Sequence, residues 1–562
     1  MKRIFLFALG VLLLFPAVRT EACTNLIVGK KASADGSVMC TYNCDGFGFA
    51  SSLTYISPGF HAAGERINVA RAWPGAPVPP ERFIAQKTGY TYGVVGLMNE
   101  KQVTIVETTW DGRKELRNPE GYLDYFTLMD LTLQRSASAR EAIAVMHALV
   151  QEYGYNATGE SFAVCDKEEA WIMELIGKGP GRKGAVWVAM RVPDDAVCAY
   201  ANSSRIRHFP QTSKVDKKLG FCVLEGECMY SADVISFARE MGYFTGKDAE
   251  FSFREAYGPL DFSAIRYCEA RVWSFFRHHA DKDWMDSFLP FLNGHTEEID
   301  HLPLWIVPDK PVSVRDLMND MRDHYEGTAL DMTADVSAGP WASPYRNQPV
   351  NYESSDGTKM FRERPIGCQQ SAMTLVCQMR SFLPDAVGGV THFNLDDASM
   401  VAYVPVYCGI TRVPEAFRRE NNNIREFSTE SAFWMCNFVS NMVYPRYSAM
   451  IGDLREAQSE LEDYYAADQK EVEEKAAAMT PTERTAFLTG KTEAYTEAMM
   501  QRWKKLAKLL IVKHNDQIMQ PSENGEIVPG RRTSPAYAPA FIDAVKAQTG
   551  DRYVMPQPPA SE

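Results

Sequence analysis

The feature that most limits what this chain can fold into lies at its start: a short apolar segment, a small-x-small triplet, and then Cys23 opening a predicted strand. Lys2 and Arg3 precede an apolar run from Ile4 to Val18, and Thr20-Glu21-Ala22 follows. That order is the pattern of an export leader cut after Ala22. The run is shorter than the ~20 residues that span a bilayer, and no later stretch reaches that length without charges. Residues 1–22 are therefore predicted to be a signal peptide, and the mature chain to be exported, periplasmic or secreted, with no stable membrane insertion. A lipoprotein leader also ends before a cysteine, but Thr20 and Glu21 fit its small or aliphatic positions poorly.

Cleavage there would leave Cys23 with a free α-amino group, whose ordinary pKa is about 7.7 to 8.0. Such an amine can take the thiol proton, directly or through one water, and return it to a leaving amine, so one residue supplies nucleophile and base. Taken alone, Cys23 is equally well read as an incidental chain start. The residues after it favour the chemistry: an apolar strand, a turn at Asp35-Gly36 and a second strand over Ser37 to Tyr42 form a hairpin opening on Cys23. The returning strand carries Asn43 and Asp45 back toward the sulfur, with Asp45 placed to orient the amine.

The formal net charge of -13 argues against nucleic acid and anionic membrane partners. Twelve cysteines are too dilute for a disulfide scaffold and lack paired CxxC spacing; Cys222 and Cys228 flank a Gly-containing loop and could bridge. The ten histidines are scattered, and the pair His278-His279 has no further ligands at metal-site spacing. No metal or organic cofactor is expected.

The opening run CTNLIVGKKASADGSVM resembles the start of the dipeptidase A family of N-terminal-nucleophile cysteine hydrolases, related more distantly to bile-salt hydrolases and penicillin V acylases. Where that family often has Arg before the Asn of the second strand, this chain has Tyr42. A further hairpin runs from Tyr92–Met98 through Asn99-Glu100-Lys101-Gln102 to Val103–Thr109, and resembles the family's Gly-x-x-Asn-Glu turn and Glu-Thr-Thr strand. The resemblance implies that the Asn99 amide stabilises the oxyanion of a tetrahedral intermediate; without it, Asn99 reads as a turn residue tolerating positive φ. By the same resemblance Asn202, in Ala-Asn followed by Arg205-Ile206, completes the oxyanion hole or binds substrate backbone, a capping Asn being the plain alternative. Arg271, in Tyr267-x-x-x-Arg271-x-Trp273, would favour the thiolate electrostatically, or be a helix-surface cation.

A helix is predicted over Ser138 to Tyr153, stopped by Gly154, and strands over Ser161–Cys165, Ala170–Ile176, Ala185–Arg191 and Val197–Ala201. Glu174, inside an apolar run, reads equally as a salt-bridge partner or a substrate contact. Two long helices, about 452 to 478 and 481 to 513, come next, the second announced by the capping box Thr480-Pro481-Thr482-Glu483. They are expected either to cover the substrate cleft or to mediate homo-oligomerisation. The tail from Gln520 is expected to be an extended arm or disordered.

The resemblance implies an α+β fold, the Ntn-hydrolase αββα four-layer sandwich with antiparallel sheets, plus a C-terminal helical hairpin. The division expected is a leader 1–22, a catalytic domain 23–450, a helical extension 451–519 and a tail 520–562. The function expected is an exported cysteine dipeptidase acting on small peptide substrates, dipeptides, through a thioester acyl-enzyme. Two alternatives remain open: an N-acyl amide hydrolase of the bile-salt hydrolase or penicillin acylase type, and a non-catalytic surface lipoprotein.

Overall fold

Alternating side chains in the strands at both ends of the first half sort the core into two faces, and the whole architecture follows from that sorting. A computed structural model describes residues 23–46, 48–71, 79–294, 301–346 and 350–556; the leader expected over residues 1–22 lies outside them. In chain order the principal elements are β1 (Asn25–Val28), β2 (Val38–Asp45), β3 (Thr104–Trp110), α1 (Tyr125–Arg135), α2 (Ala139–Tyr153), β4 (Gly159–Cys165), β5 (Ala170–Gly177), β6 (Ala185–Arg191), β7 (Val197–Tyr200), α3 (Ala270–His279), β8 (Ser371–Met379), β9 (Val390–Leu395), β10 (Val404–Tyr407), α4 (Tyr447–Ala478) and α5 (Pro481–Lys513). One seven-stranded sheet runs Trp305–Ile306, β7, β1, β2, β8, β9, β10. A nine-stranded sheet runs Phe221–Leu224, Cys228–Ser231, β6, β5, β4, β3, Met98–Asn99, Val94–Val95, Tyr55–Ile56. The ladders of both are antiparallel, so the fold is α+β.

In the seven-stranded sheet, Leu26, Val28, Met39, Val197, Ala199 and Val376 pack with Trp273, Phe275 and Phe276 of α3. Their neighbours of opposite parity, Ile27, Cys40, Tyr42, Cys198, Tyr200 and Leu375, pack with Ile105, Val106 and Phe162 of the nine-stranded sheet. Strands buried on both faces are expected to be apolar throughout rather than alternating with polar residues, and every residue of β1 and β2 is buried. The two sheets therefore face each other, β1 and β2 lying against β3 and β4. Cys23, directly before β1, belongs to the inter-sheet core.

Helix α2 begins where predicted: the Ser138 side chain accepts from Glu141 N, and Gly154, at φ 75°, ends it. It packs on β4 and β6. The arm expected over Tyr92–Met98 is instead two short strands, because Gly96 turns the backbone at φ 58° between them. Helices α4 and α5 lie against each other and against β10, and belong to the same core as the sheets. They pack on β10, the edge strand of the seven-stranded sheet. The tail, expected to be extended, forms a small hairpin of Ser522–Glu523 with Glu526–Ile527 and a helix, Pro539–Thr549, opened by proline at its first turn. All twelve cysteines are free thiols, so Cys222 and Cys228 do not bridge: they lie in adjacent strands opposite Tyr230 and Leu224.

Candidate functional site

Strand pairing builds the site around Cys23. The backbones of Thr24 and Asn43 pair across the start of β1 and the end of β2, which sets Cys23 beside Cys44 and Asp45. The Cys23 sulfur lies 3.5 Å from the Tyr42 hydroxyl and 3.8 Å from Glu107 Oε1, and Tyr42 in turn donates to Glu107 Oε1. Tyr42, where the chain departs from the resembled pattern, thus faces the sulfur. Cys23 is 2 % exposed. Burial, then the neighbouring Cys44 and the Glu107 charge, push its thiol well above the ordinary thiol range. The sulfur is therefore held as a protonated thiol shielded from solvent.

Arg271 reaches the same residue from the other face. The chain enters α3 through a wider π-helical turn, Ala264–Glu269, a distortion often found at functional sites. Arg271 is fully buried and donates four hydrogen bonds: to the carbonyl oxygens of Tyr267 (2.6 Å) and Cys23 (2.8 Å), Thr24 Oγ1 (2.6 Å) and Asn202 Oδ1 (2.9 Å). None of these acceptors is a carboxylate, and the nearby Asp45 carboxyl feels the Arg271 charge, which opposes the effect of its burial. The surface-cation reading of Arg271 is excluded. Asn202, its oxygen fixed by Arg271, donates one amide hydrogen to the Thr109 carbonyl at 2.6 Å, and a primary amide carries a second.

Asp45 accepts from Ser371 Oγ at 2.6 Å and from Arg364 at 3.0 Å. Burial raises its carboxyl above the usual range although Arg364 and Ser371 oppose the shift. Asn99 has a different role from the one the resemblance implied. Its Nδ2 donates to the carbonyls of Leu133 (2.7 Å) and Ser136 (2.8 Å), and its Oδ1 accepts from Lys101 and Val103 N–H. Both amide hydrogens are committed to the C-terminal end of α1, and no donor remains for an oxyanion. Glu174 is likewise structural: fully buried, it accepts from Ser204 Oγ and from the Arg205 and Ile206 N–H groups, and so fixes the loop after Asn202.

A cleft of about 1210 Å³ opens beside these residues, lined by Thr109, Trp110, Asn202, Tyr267, Cys268, Arg364 and Gln370 among others. Around it Arg82, Arg113, Lys114 and Arg117 stand with Asp111, Glu115, Asp124 and Asp261, while Arg71 pairs with Asp130 and Arg364 with Asp45. Trp110 can lie flat at its wall because its cross-strand partner is Gly159, where a Cβ would come within 2.3 Å of the indole. A second cavity, about 510 Å³ and more apolar, reaches Cys44, the neighbour of Cys23, and is lined by Phe49, Leu53, Leu97, Phe126 and Phe393. No residue of α4 or α5 lines either, so the helical pair does not cover the cleft. Among the described residues no group of three or more His, Cys, Asp or Glu could hold a metal ion, and no helix is long and apolar enough to cross a membrane.

The site includes residues that the sequence reading did not single out for it. Glu107 was visible only as part of Glu-Thr-Thr; a carboxylate inside an otherwise apolar strand is the signal that could have found it, since such a group must be partnered when buried. Arg364 offers no comparable signal.

The chain belongs to the family described as Peptidase family C69, whose pattern matches residues 22–58 and 77–460. It is a peptidase of the dipeptidase A type. It is 27% identical to a probable dipeptidase of Salmonella dublin over 73% of this chain and 86% of that protein. To a probable dipeptidase of Latilactobacillus sakei it is 24% identical (84% and 91% covered), and to dipeptidase A of Lactobacillus helveticus 24% (78% and 85%).

Proposed function

We propose that this protein is an exported dipeptidase whose nucleophile is Cys23, released as the first residue of the mature chain by cleavage after Ala22, on an Ntn-hydrolase αββα sandwich. The observation that carries the reading is the position of Cys23: at the head of β1, between the sheets, with Arg271 on its carbonyl oxygen. Cleavage would remove the chain bonded to its nitrogen and give the buried thiol an adjacent amine as base. The sulfur attacks the peptide carbonyl, the second amide hydrogen of Asn202 stabilises the oxyanion, and water resolves the thioester. Arg271 holds Asn202 in orientation and favours negative charge at the sulfur, while Asp45 and its partner Arg364 support the electrostatics at the amine. The relatives' names favour dipeptides over N-acyl amides as its substrates. Export, to a periplasm or to the medium, follows from the leader.

The test is N-terminal sequencing and intact mass of the exported protein, followed by assays of the parent and Cys23→Ala on dipeptides and on N-acyl amides. A mature chain starting with unmodified Cys23, and loss of at least ~10⁴-fold in dipeptide turnover in Cys23→Ala, are expected. A different first residue, an acylated amine, or an active Cys23→Ala would overturn the reading.

A further inference from the structure

Strand pairing sets a second thiol opposite Cys23. The register of β1 with β2 pairs Val28 with Met39 and Ile27 with Cys40, and the bridge of Thr24 with Asn43 continues it, so Cys23 faces Cys44 one residue further on. Thr24 and Asn43 exchange both backbone hydrogen bonds, at 3.3 and 3.1 Å. The next pair is therefore of the non-hydrogen-bonded kind, whose Cα atoms lie about 4.5 Å apart and whose side chains come closest. A disulfide spans Cα separations of ~4.4 to 6.8 Å. We propose that Cys23 and Cys44 form a reversible disulfide on exposure to peroxide, a modification that switches the nucleophile off. The bridge itself follows from the register; its effect on turnover rests on Cys23 being the nucleophile.

Both side chains belong to the core between the sheets, with Ile27, Cys40 and Tyr42 of the same parity. Susceptibility to oxidation follows thiolate character and access. The amine of a mature Cys23 supplies the first. Access comes through Cys44, which is 8 % exposed and lines the cavity of about 510 Å³, a space far larger than a peroxide molecule. Cys44 also follows burial directly among the causes that raise the Cys23 thiol, as a close neighbour should. A contrast lies on the same sheet. Cys40 and Cys377 are also directly opposite each other, on β2 and β8, but both are fully buried and line neither cavity. Packing there leaves an oxidant no route, so the modification is confined to the pair at the cavity.

The chemistry balances with hydrogen peroxide as the oxidant. The Cys23 α-amine takes the thiol proton, as it does in attack on a peptide. The thiolate then displaces hydroxide from peroxide: an S–O bond forms, the O–O bond breaks, sulfur is oxidised to the sulfenic acid and peroxide oxygen is reduced. The released hydroxide takes the proton back from the ammonium and leaves as water. The Cys44 sulfur next attacks the Cys23 sulfur: the S–S bond forms, the S–O bond breaks, and the departing hydroxyl takes the Cys44 thiol proton as a second water. Two thiols and one peroxide thus give one disulfide and two waters. A dithiol reductant reverses the bridge by thiol–disulfide exchange, whereas a sulfenic acid left without a partner goes on to the irreversible sulfinic acid. Cys44 therefore also protects the nucleophile from permanent loss.

The test treats the mature protein with hydrogen peroxide and compares the parent with Cys44→Ala, by peptide mass spectrometry without reduction and by dipeptide turnover before and after dithiothreitol. In the parent, a peptide pair joined through Cys23 and Cys44 and lighter by two hydrogens is expected, with turnover lowered at least ~10-fold and restored by dithiothreitol. Cys44→Ala is expected to lose turnover to peroxide without regaining it, its Cys23 being recovered as the sulfinic acid. Absence of the joined peptide in the treated parent, or recovery of Cys44→Ala as complete as the parent's, overturns the bridge. Failure of the underlying reading looks different: the bridge would form and dipeptide turnover would persist.

Discussion

Two buried arginine clusters, built from the same residue type at similar depth, are used in opposite ways. At Cys23, Arg271 makes four hydrogen bonds, all to neutral acceptors. Where α4 lies on the seven-stranded sheet, Arg322 is paired with Glu462, which also takes Arg315 at 2.9 Å and the Tyr403 N–H at 3.1 Å. Arg380 is held by both oxygens of Glu473 at 2.7 and 2.8 Å. At the helix contact the charges cancel and fix geometry. At Cys23 the guanidinium is spent on neutral acceptors, with the Asp45 carboxyl near enough to feel its charge.

The largest effect is expected at the helix contact. Glu462→Ala leaves Arg322 buried without its partner and should cost about 3 to 5 kcal/mol of stability, read by denaturant unfolding, while turnover per folded molecule stays within ~2-fold of the parent. A large loss of turnover without a loss of stability would break the comparison. Next, Arg271→Lys keeps the charge but cannot span four acceptors, and should lower kcat/KM about 100-fold, worth ~2.7 kcal/mol. If its unfolding curve moves more than its kinetics, Arg271 belongs with the structural pairs.

The smallest effect sharpens the contrast along α3 itself. At the far end from Arg271, His278 Nδ1 and His279 Nε2 each lie 2.8 Å from Asp320. Burial alone would lower the His278 imidazole, but Asp320, Asp323 and Glu326 outweigh it and lift the value from 6.5 to about 9. A folded-state value above the unfolded one means that the stabilisation is complete below pH 6.5 and lost as pH rises through 9. With a third of the side chain exposed, the contribution is on the order of 2 kcal/mol or less. Unfolding free energy should therefore fall between pH 6.5 and 9, and His278→Gln should flatten that slope; an unchanged slope would assign it to other groups.

Much of the local structure was legible. Ser138 and Gly154 bracket α2, and Thr480 and Glu483 form the capping box that opens α5, because caps and turns depend on residues a few positions apart. The hairpin that opens on Cys23 was legible for the same reason. Asn99 shows the limit of resemblance: its turn was correctly foreseen, yet its amide hydrogens go to carbonyls of the segment 133–136, a contact no turn motif encodes.

The sequence by itself determined which cysteine stands at the head of a strand after an apolar segment, the short-range elements, and a family whose pattern spans most of the chain. Only the tertiary structure decided what surrounds that cysteine. Tyr42, Glu107, Arg271 and Arg364 are separated by up to hundreds of residues, and they meet because two sheets bury opposite parities of the same strands. Burial is what turns a carboxylate, a phenol and a guanidinium into strong electrostatic neighbours, and burial is a property of packing that no single stretch of sequence carries.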